Sequence, residues 1–163
     1  MIKRMFGGFF RLPLQLFRRY TARSALLQLT SHQHPQLKAV GAALYESVTH
    51  SVSADAQRLL PVIGQRRASL LNSDMEIAVI DYGVNSPNSK RTKEAMKKGV
   101  QSTALVADIC ESSMSAFWAT VLFKLIRKLE PLSCVELGAC VGISASYQAA
   151  ALNFYLKGNL RTL

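Results

Sequence analysis

One acid, two glycines and a serine within a short span are the part of this chain best suited to chemistry. Glu136, Gly138, Gly142 and Ser144 stand in Cys134-Val-Glu-Leu-Gly-Ala-Cys-Val-Gly-Ile-Ser144. The apolar run ending at Glu136 reads as a strand, the glycines as a turn, and Ser144 to Asn153 as the start of a helix. A strand, a glycine turn and a helix in that order make a ligand cradle. Glycine lets a ligand approach bare backbone, and the helix start offers unpaired N–H groups and a positive dipole end. An acid at the carboxyl end of the strand costs stability unless it faces solvent or a ligand cation.

The spacing excludes the best-known nucleotide turns. A dinucleotide fingerprint requires G-x-G-x-x-G, and Gly138-Ala-Cys-Val-Gly142 lacks the middle glycine. A P-loop requires Gly-Lys-Ser/Thr, and the turn has no lysine. A helix-packing G-x-x-x-G would lie inside a long apolar helix, not at a strand end.

The run Val135-Glu-Leu-Gly-Ala-Cys-Val-Gly-Ile-Ser-Ala145 resembles motif I of the class I, Rossmann-like S-adenosylmethionine-dependent methyltransferases, in the E-L-G-x-x-x-G-x-S form of the catechol-type O-methyltransferases. Upstream, Asp81-Tyr-Gly83, the helix Trp118 to Leu129 and Pro131 look like the lead-in of bacterial members, so the resemblance spans roughly residues 75 to 163. It implies S-adenosylmethionine as cofactor and a small-molecule methyl acceptor. Glu136, Gly138, Ala139, Cys140, Gly142 and Ser144 would bind the cofactor. Glu136 would lie under its methionine part, Gly138 would admit it to the backbone, and Gly142 would permit tight strand–helix packing. Ser144 would hydrogen-bond the methionine carboxylate. Cys140 takes a position that is glycine in many members. The resemblance also implies the N-terminal part of such a domain, with the ribose-binding acid expected just past Leu163 and little or no turnover from residues 1–163 alone.

The elements that must position the cradle read in order as follows. Residues 1–38 form a basic amphipathic segment with seven Lys and Arg, no acid, and Phe6, Phe9, Phe10, Leu12, Leu14, Leu16 and Phe17 interleaved. A solvated basic helix, contact with an anionic membrane surface, and a targeting segment all remain open for it. A basic module that docks on a membrane or RNA through this segment is the alternative to the methyltransferase reading. Residues 39–72 read as helical, with a stripe Leu37, Val40, Ala43, Leu44 and Val48 and a second run, N-capped by Ser53, that Pro61 and Gly64 break or kink. Residues 73–163 form the start of an α/β parallel sheet. Met75–Ile80 reads as a strand, and the stretch to Ser89 as a loop. Lys90 to Lys98 reads as a solvated basic tract, Thr103–Cys110 as a helix, and Ser115–Leu129 as the strongest helix. The stripe of that last helix is Phe117, Val121, Leu122, Leu125 and Leu129, with Trp118 packed beside it. Leu132–Leu137 and Asn159–Leu163 are the strands around the cradle helix, which ends near Leu156 with Gly158 as its cap. This succession is the grammar of a parallel βαβ unit.

Composition bounds the rest. The chain has 163 residues, 49% of them hydrophobic, and Lys+Arg 20 against Asp+Glu 10 gives a net charge of +10. Such a balance suits an anionic partner, although the lysine tract has no interleaved aromatics for stacking on nucleic acid. Cys110, Cys134 and Cys140 form no CxxC pair, so neither a disulfide framework nor a zinc knuckle is expected. The setting expected is a reducing cytoplasm, with peripheral contact at the inner face of a membrane through residues 1–38. His32 and His34 read as exposed loop residues. No apolar run approaches the roughly 18 residues of a membrane span.

Overall fold

The computed structural model describes residues 22–82, 92–154 and 158–163. The readings for residues 1–21, for the loop and basic positions from 83 to 91, and for 155–157 lie outside them. The described part is mixed α/β. Residues 22–30 form helix α1, followed by α2 (Pro35–Val48) and α3 (Ala54–Leu71). Next come β1 (Glu76–Asp81), α4 (Lys93–Lys98), β2 (Val100–Leu105) and α5 (Val106–Glu111). The chain continues with α6 (Ala116–Leu129), β3 (Ser133–Glu136), α7 (Ile143–Leu152) and β4 (Asn159–Thr162). The described residues form two small sheets. β1 and β2 pair antiparallel, whereas β3 and β4 pair parallel, with Cys134 opposite Leu160 and Glu136 opposite Thr162. The βαβ unit around the cradle is therefore present as its sequence implied.

Burial is concentrated on α6. Ala119, Phe123 and Ile126 join Ile143, Tyr147, Ala151 and Leu152 of α7, with Ala56 and Leu70 of α3 and Val106 and Cys110 of α5, in one apolar cluster. Cys134 of β3 and Leu160 of β4 pack against it from the sheet side. An edge-to-face contact of Phe123 with Phe154 extends the cluster past the end of α7. On its other flank α6 packs along α2. Lys124 donates to the Ser51 carbonyl at 2.6 Å, and Lys128 pairs with Glu46 at 2.6 Å.

Several expectations change. The buried face of α6 is Ala119, Phe123, Lys124 and Ile126 with Val121, while Phe117 and Leu129 are exposed and Trp118 is 57% exposed. A helix wedged between two others buries two faces, so a single stripe misplaces its edges. The segment Thr103–Cys110 is not one helix. Its first three residues finish β2, because Gly99, at a φ of 72°, turns the chain so that Val100–Leu105 runs back along β1. Leu105, counted as part of a helix stripe, is the last strand residue. Helix α3 runs unbroken through Pro61 and Gly64. Pro61 is exposed and nothing crowds the Gly64 position, so the lost N–H bond is the main cost. Helix α7 stops at Leu152 and is capped by Asn153. Gly158 is no cap; it sits where a Cβ would overlap the Leu152 side chain.

The readings of Ser53 as a cap and of His32 and His34 as exposed loop residues stand. Ser53 caps α3, accepting from the Ala56 N–H, and Thr92, which the sequence did not single out, does the same for α4 from the Ala95 N–H. Ser115 is the N-cap residue of α6, although its side chain makes no capping bond. His32 and His34 are exposed in the loop before α2. Among the described residues no cluster of His, Cys, Asp and Glu is arranged to hold a metal, and no helix is long and apolar enough to cross a membrane.

A side chain at position 99 meets two obstacles: the left-handed φ, and overlap with Cγ2 of Ile80, a β-branched group with little freedom to move. Gly99→Ala is expected to lower stability by about 2 kcal/mol, the sum of a left-handed penalty and a local clash. The urea midpoint at constant slope measures it.

Candidate functional site

The cradle begins where β3 ends. Gly138 donates its N–H to the Leu163 carbonyl at 2.8 Å, and the Leu163 N–H reaches the Glu136 carbonyl at 3.0 Å, so β4 holds the mouth of the turn on one side. The turn proper closes with the Gly142 N–H on the Ala139 carbonyl at 2.8 Å. Three of its residues have left-handed φ: Gly138 at 76°, Cys140 at 53° and Gly142 at 79°. Both glycines are thus required by conformation. A Cβ on either would meet nothing within 4 Å. For Gly142 this differs from the tight strand–helix packing that the motif implied: it is the φ of 79°, not close packing, that calls for glycine there.

Cys140 bears the strain. Outside glycine, and to a lesser degree Asn and Asp, this conformation costs roughly 1–2 kcal/mol, and strained residues of this kind cluster at functional turns. Its thiol is exposed, whereas Cys110 is fully buried and Cys134 half-buried. Burial pushes the Cys134 thiol above its ordinary range, so Cys134 is no ready thiolate nucleophile.

Helix α7 supplies the positive wall. Gly142 is its N-cap, in a left-handed conformation with no side-chain cap, and the first intrahelical bond runs from Ser146 N–H to the Gly142 carbonyl at 2.9 Å. The N–H groups of Ile143, Ser144 and Ala145 consequently have no partner within the helix. A left-handed residue followed by right-handed ones also turns successive N–H groups into a shallow anion-binding concavity.

Glu136 faces this wall. The Ser144 hydroxyl donates to its Oε1, a contact across the turn that the sequence reading did not anticipate. That reading gave Ser144 to a ligand carboxylate and Glu136 to a ligand cation. The structure pairs the two side chains with each other, because the second position of α7 and the end of β3 lie on the same side of the turn. A hydroxyl just after a turn that follows a strand-end acid is the signal that points to such a pair. The second oxygen, Oε2, is buried with no hydrogen-bond partner. A carboxylate oxygen accepts hydrogen bonds and cannot donate one, so this atom is a vacant acceptor beside a row of vacant donors. Ala139, within the turn, is half-buried.

The two strained positions separate cleanly by mutation. Cys140→Gly is expected to raise stability by about 0.5–1 kcal/mol, while Gly142→Ala lowers it by about 1–2 kcal/mol despite the open space beside it. Equilibrium denaturation of both variants measures this. With a thiol reagent under native conditions, Cys140 is expected to react first and Cys110 only on unfolding, which peptide mapping of the labelled protein checks. No family model, curated protein or solved structure matches this chain.

Proposed function

We propose that residues 133–163 form the methionine-facing half of an S-adenosylmethionine site, and that the chain is a methyltransferase-type protein with a Rossmann-like sheet, acting by methyl transfer to an oxygen of a small molecule. The observation that carries this reading is the buried, unpartnered Oε2 of Glu136 beside the open N-terminus of α7. A buried acceptor left without a donor costs about 1–3 kcal/mol. An amino-acid zwitterion suits both halves of the arrangement. Its ammonium gives Oε2 a charged donor, and its carboxylate suits the free N–H groups and dipole end of α7. An isolated phosphate suits only the helix, and Glu136 would repel it.

The surrounding elements favour the same reading. The cradle lies at the carboxyl end of a strand in a parallel β3–α7–β4 unit, where ligands of open α/β sheets bind. Helices α6 and α7 cover one face of that sheet. On β3, Val135 is 59% exposed and, just after it, Leu137 is 79% exposed. Parallel sheets are normally covered on both faces, as in a doubly wound fold, and these side chains suit a second helical layer. When bound, S-adenosylmethionine supplies a methyl group activated by its sulfonium. The part given to this chain is to hold the methionine end: Glu136 on the ammonium, the N–H groups of Ile143 and Ser144 on the carboxylate, and the Ser144 hydroxyl keeping the Glu136 carboxylate in place.

Calorimetric titration with S-adenosylhomocysteine tests this without requiring turnover. Saturable binding is expected, weakened about tenfold or more by Glu136→Gln, the loss of one charge-assisted hydrogen bond. Cofactor should also slow alkylation of Cys140. A folded chain that shows no saturation at about 1 mM, an affinity of only ~4 kcal/mol, overturns the proposal. So does unchanged affinity in Glu136→Gln.

A further inference from the structure

A second site of different character lies at the corner where α2 turns into α3 against the last turns of α6. It is a partly enclosed cavity of about 130 Å³ whose wall includes Lys124, Arg127 and Lys128 of α6, Glu46 of α2 and Ser53 at the start of α3. The volume is well above the ~10–15 Å³ that a single water requires. Three cations against one carboxylate leave a formal +2 on the wall. The single acid is already engaged, because Glu46 pairs with Lys128 at 2.6 Å.

The other two cations have donors to spare. Lys124 is only 5% exposed, and of its three N–H donors one goes to the Ser51 carbonyl at 2.6 Å. Burial pushes its pKa below the ordinary lysine value. Glu46 opposes that shift and Lys128 adds to it. An anion in the cavity would offset this cost by its opposite charge. The Arg127 guanidinium lies over the Phe154 ring, 4.1 Å from its centroid, which engages its face and leaves its in-plane N–H groups available. Ser53 caps α3, so the dipole end of an 18-residue helix adds positive potential at the same corner. Asp55, in the first turn of α3, is exposed.

We propose that this corner is an oxyanion site of the phosphate class, with Lys124 and Arg127 as its ligands and Lys128, held by Glu46, at its rim. The shared chemistry is a phosphoryl group, carried either as the free ion or on an ester. The site stands apart from the cradle and does not depend on how the cradle functions.

Calorimetric titrations of the full chain with inorganic phosphate and with phenyl phosphate, each at ionic strength matched with sodium chloride, test it. Saturable binding of either supports the site. Tighter binding of the ester assigns it to a phosphorylated ligand, and tighter binding of the inorganic ion to free phosphate. Arg127→Gln is expected to weaken binding about tenfold, the loss of one charge-assisted contact. Lys124→Met is expected to do the same or more. Should Lys124→Met fail to fold, Arg127→Gln and Glu46→Gln carry the test. Glu46→Gln is expected to tighten binding several-fold, because it removes the one carboxylate facing the anion, and a purely structural role would not produce that sign. No saturation with either ligand at about 10 mM, a ~3 kcal/mol affinity, overturns the proposal. Arg127→Gln and Glu46→Gln variants that both bind like the parent protein do so as well.

Discussion

Helix α6 is the constraint on which the remaining arrangement depends. It is flanked by α2 and α7, and it buries Ala119, Phe123 and Ile126 in the cluster that also receives α3, α5 and the cradle strands. Through Phe123 and its neighbours it fixes α7, and α7 in turn sets where the cradle opens. Through Lys124 and Lys128 it fixes the α2–α3 corner. The two candidate sites therefore share a single rigid element, one reading its apolar face and the other its charged one. A buried lysine is a poor source of net stability, because its desolvation offsets much of what its contacts provide. Its better-supported value here is registry: a Lys124 ammonium that has found the Ser51 carbonyl admits few other placements of α2 against α6.

How much of this was readable in advance depended on how local the cause was. The parallel unit around the cradle was legible, because a short apolar run, two glycines and a helical stretch specify it within about thirty residues. The cap Ser53 and the span of α6 followed from local rules as well. What failed were features decided by distant partners. Trp118 and Phe117 look like core residues by type, yet both stand exposed on α6, outside the central cluster. Thr103–Leu105 carries residues equally at home in helix or strand, and only pairing with β1 decides between them. Pro61 signals a break, but α3 has packing on both sides of it, through Ala56 and Leu70, to hold the helix together.

At the cradle, residue types were legible and their partners were not. The acid ends the strand, the glycines lie in the turn and the serine starts the helix, in the strand–turn–helix order read from the residues. Their interactions follow from backbone angles that spacing does not encode. Left-handed conformation at Gly138, Cys140 and Gly142 winds the chain tightly enough to bring Ser144 back onto Glu136, and this closure shields one carboxylate oxygen from water. A cysteine in the middle of such a run is a local conflict with the fold. Conflicts of this kind are most often found where something other than stability selects the residue.

The antiparallel ribbon of β1 and β2 is organised differently from everything around it. Most of its side chains face solvent, including Ile77, Ile80 and Val100, and none of its residues belongs to the central cluster. Two strands with so little apolar backing are held chiefly by their own ladder, extended by the Val106 N–H on the Met75 carbonyl. Such a unit opens by itself, at a free energy set by the ribbon and not by the global transition. In hydrogen exchange the molecule then behaves as two bodies of unequal lifetime: a ribbon whose amides exchange early, and a slow helical body around α6 that keeps its protons until the whole chain unfolds.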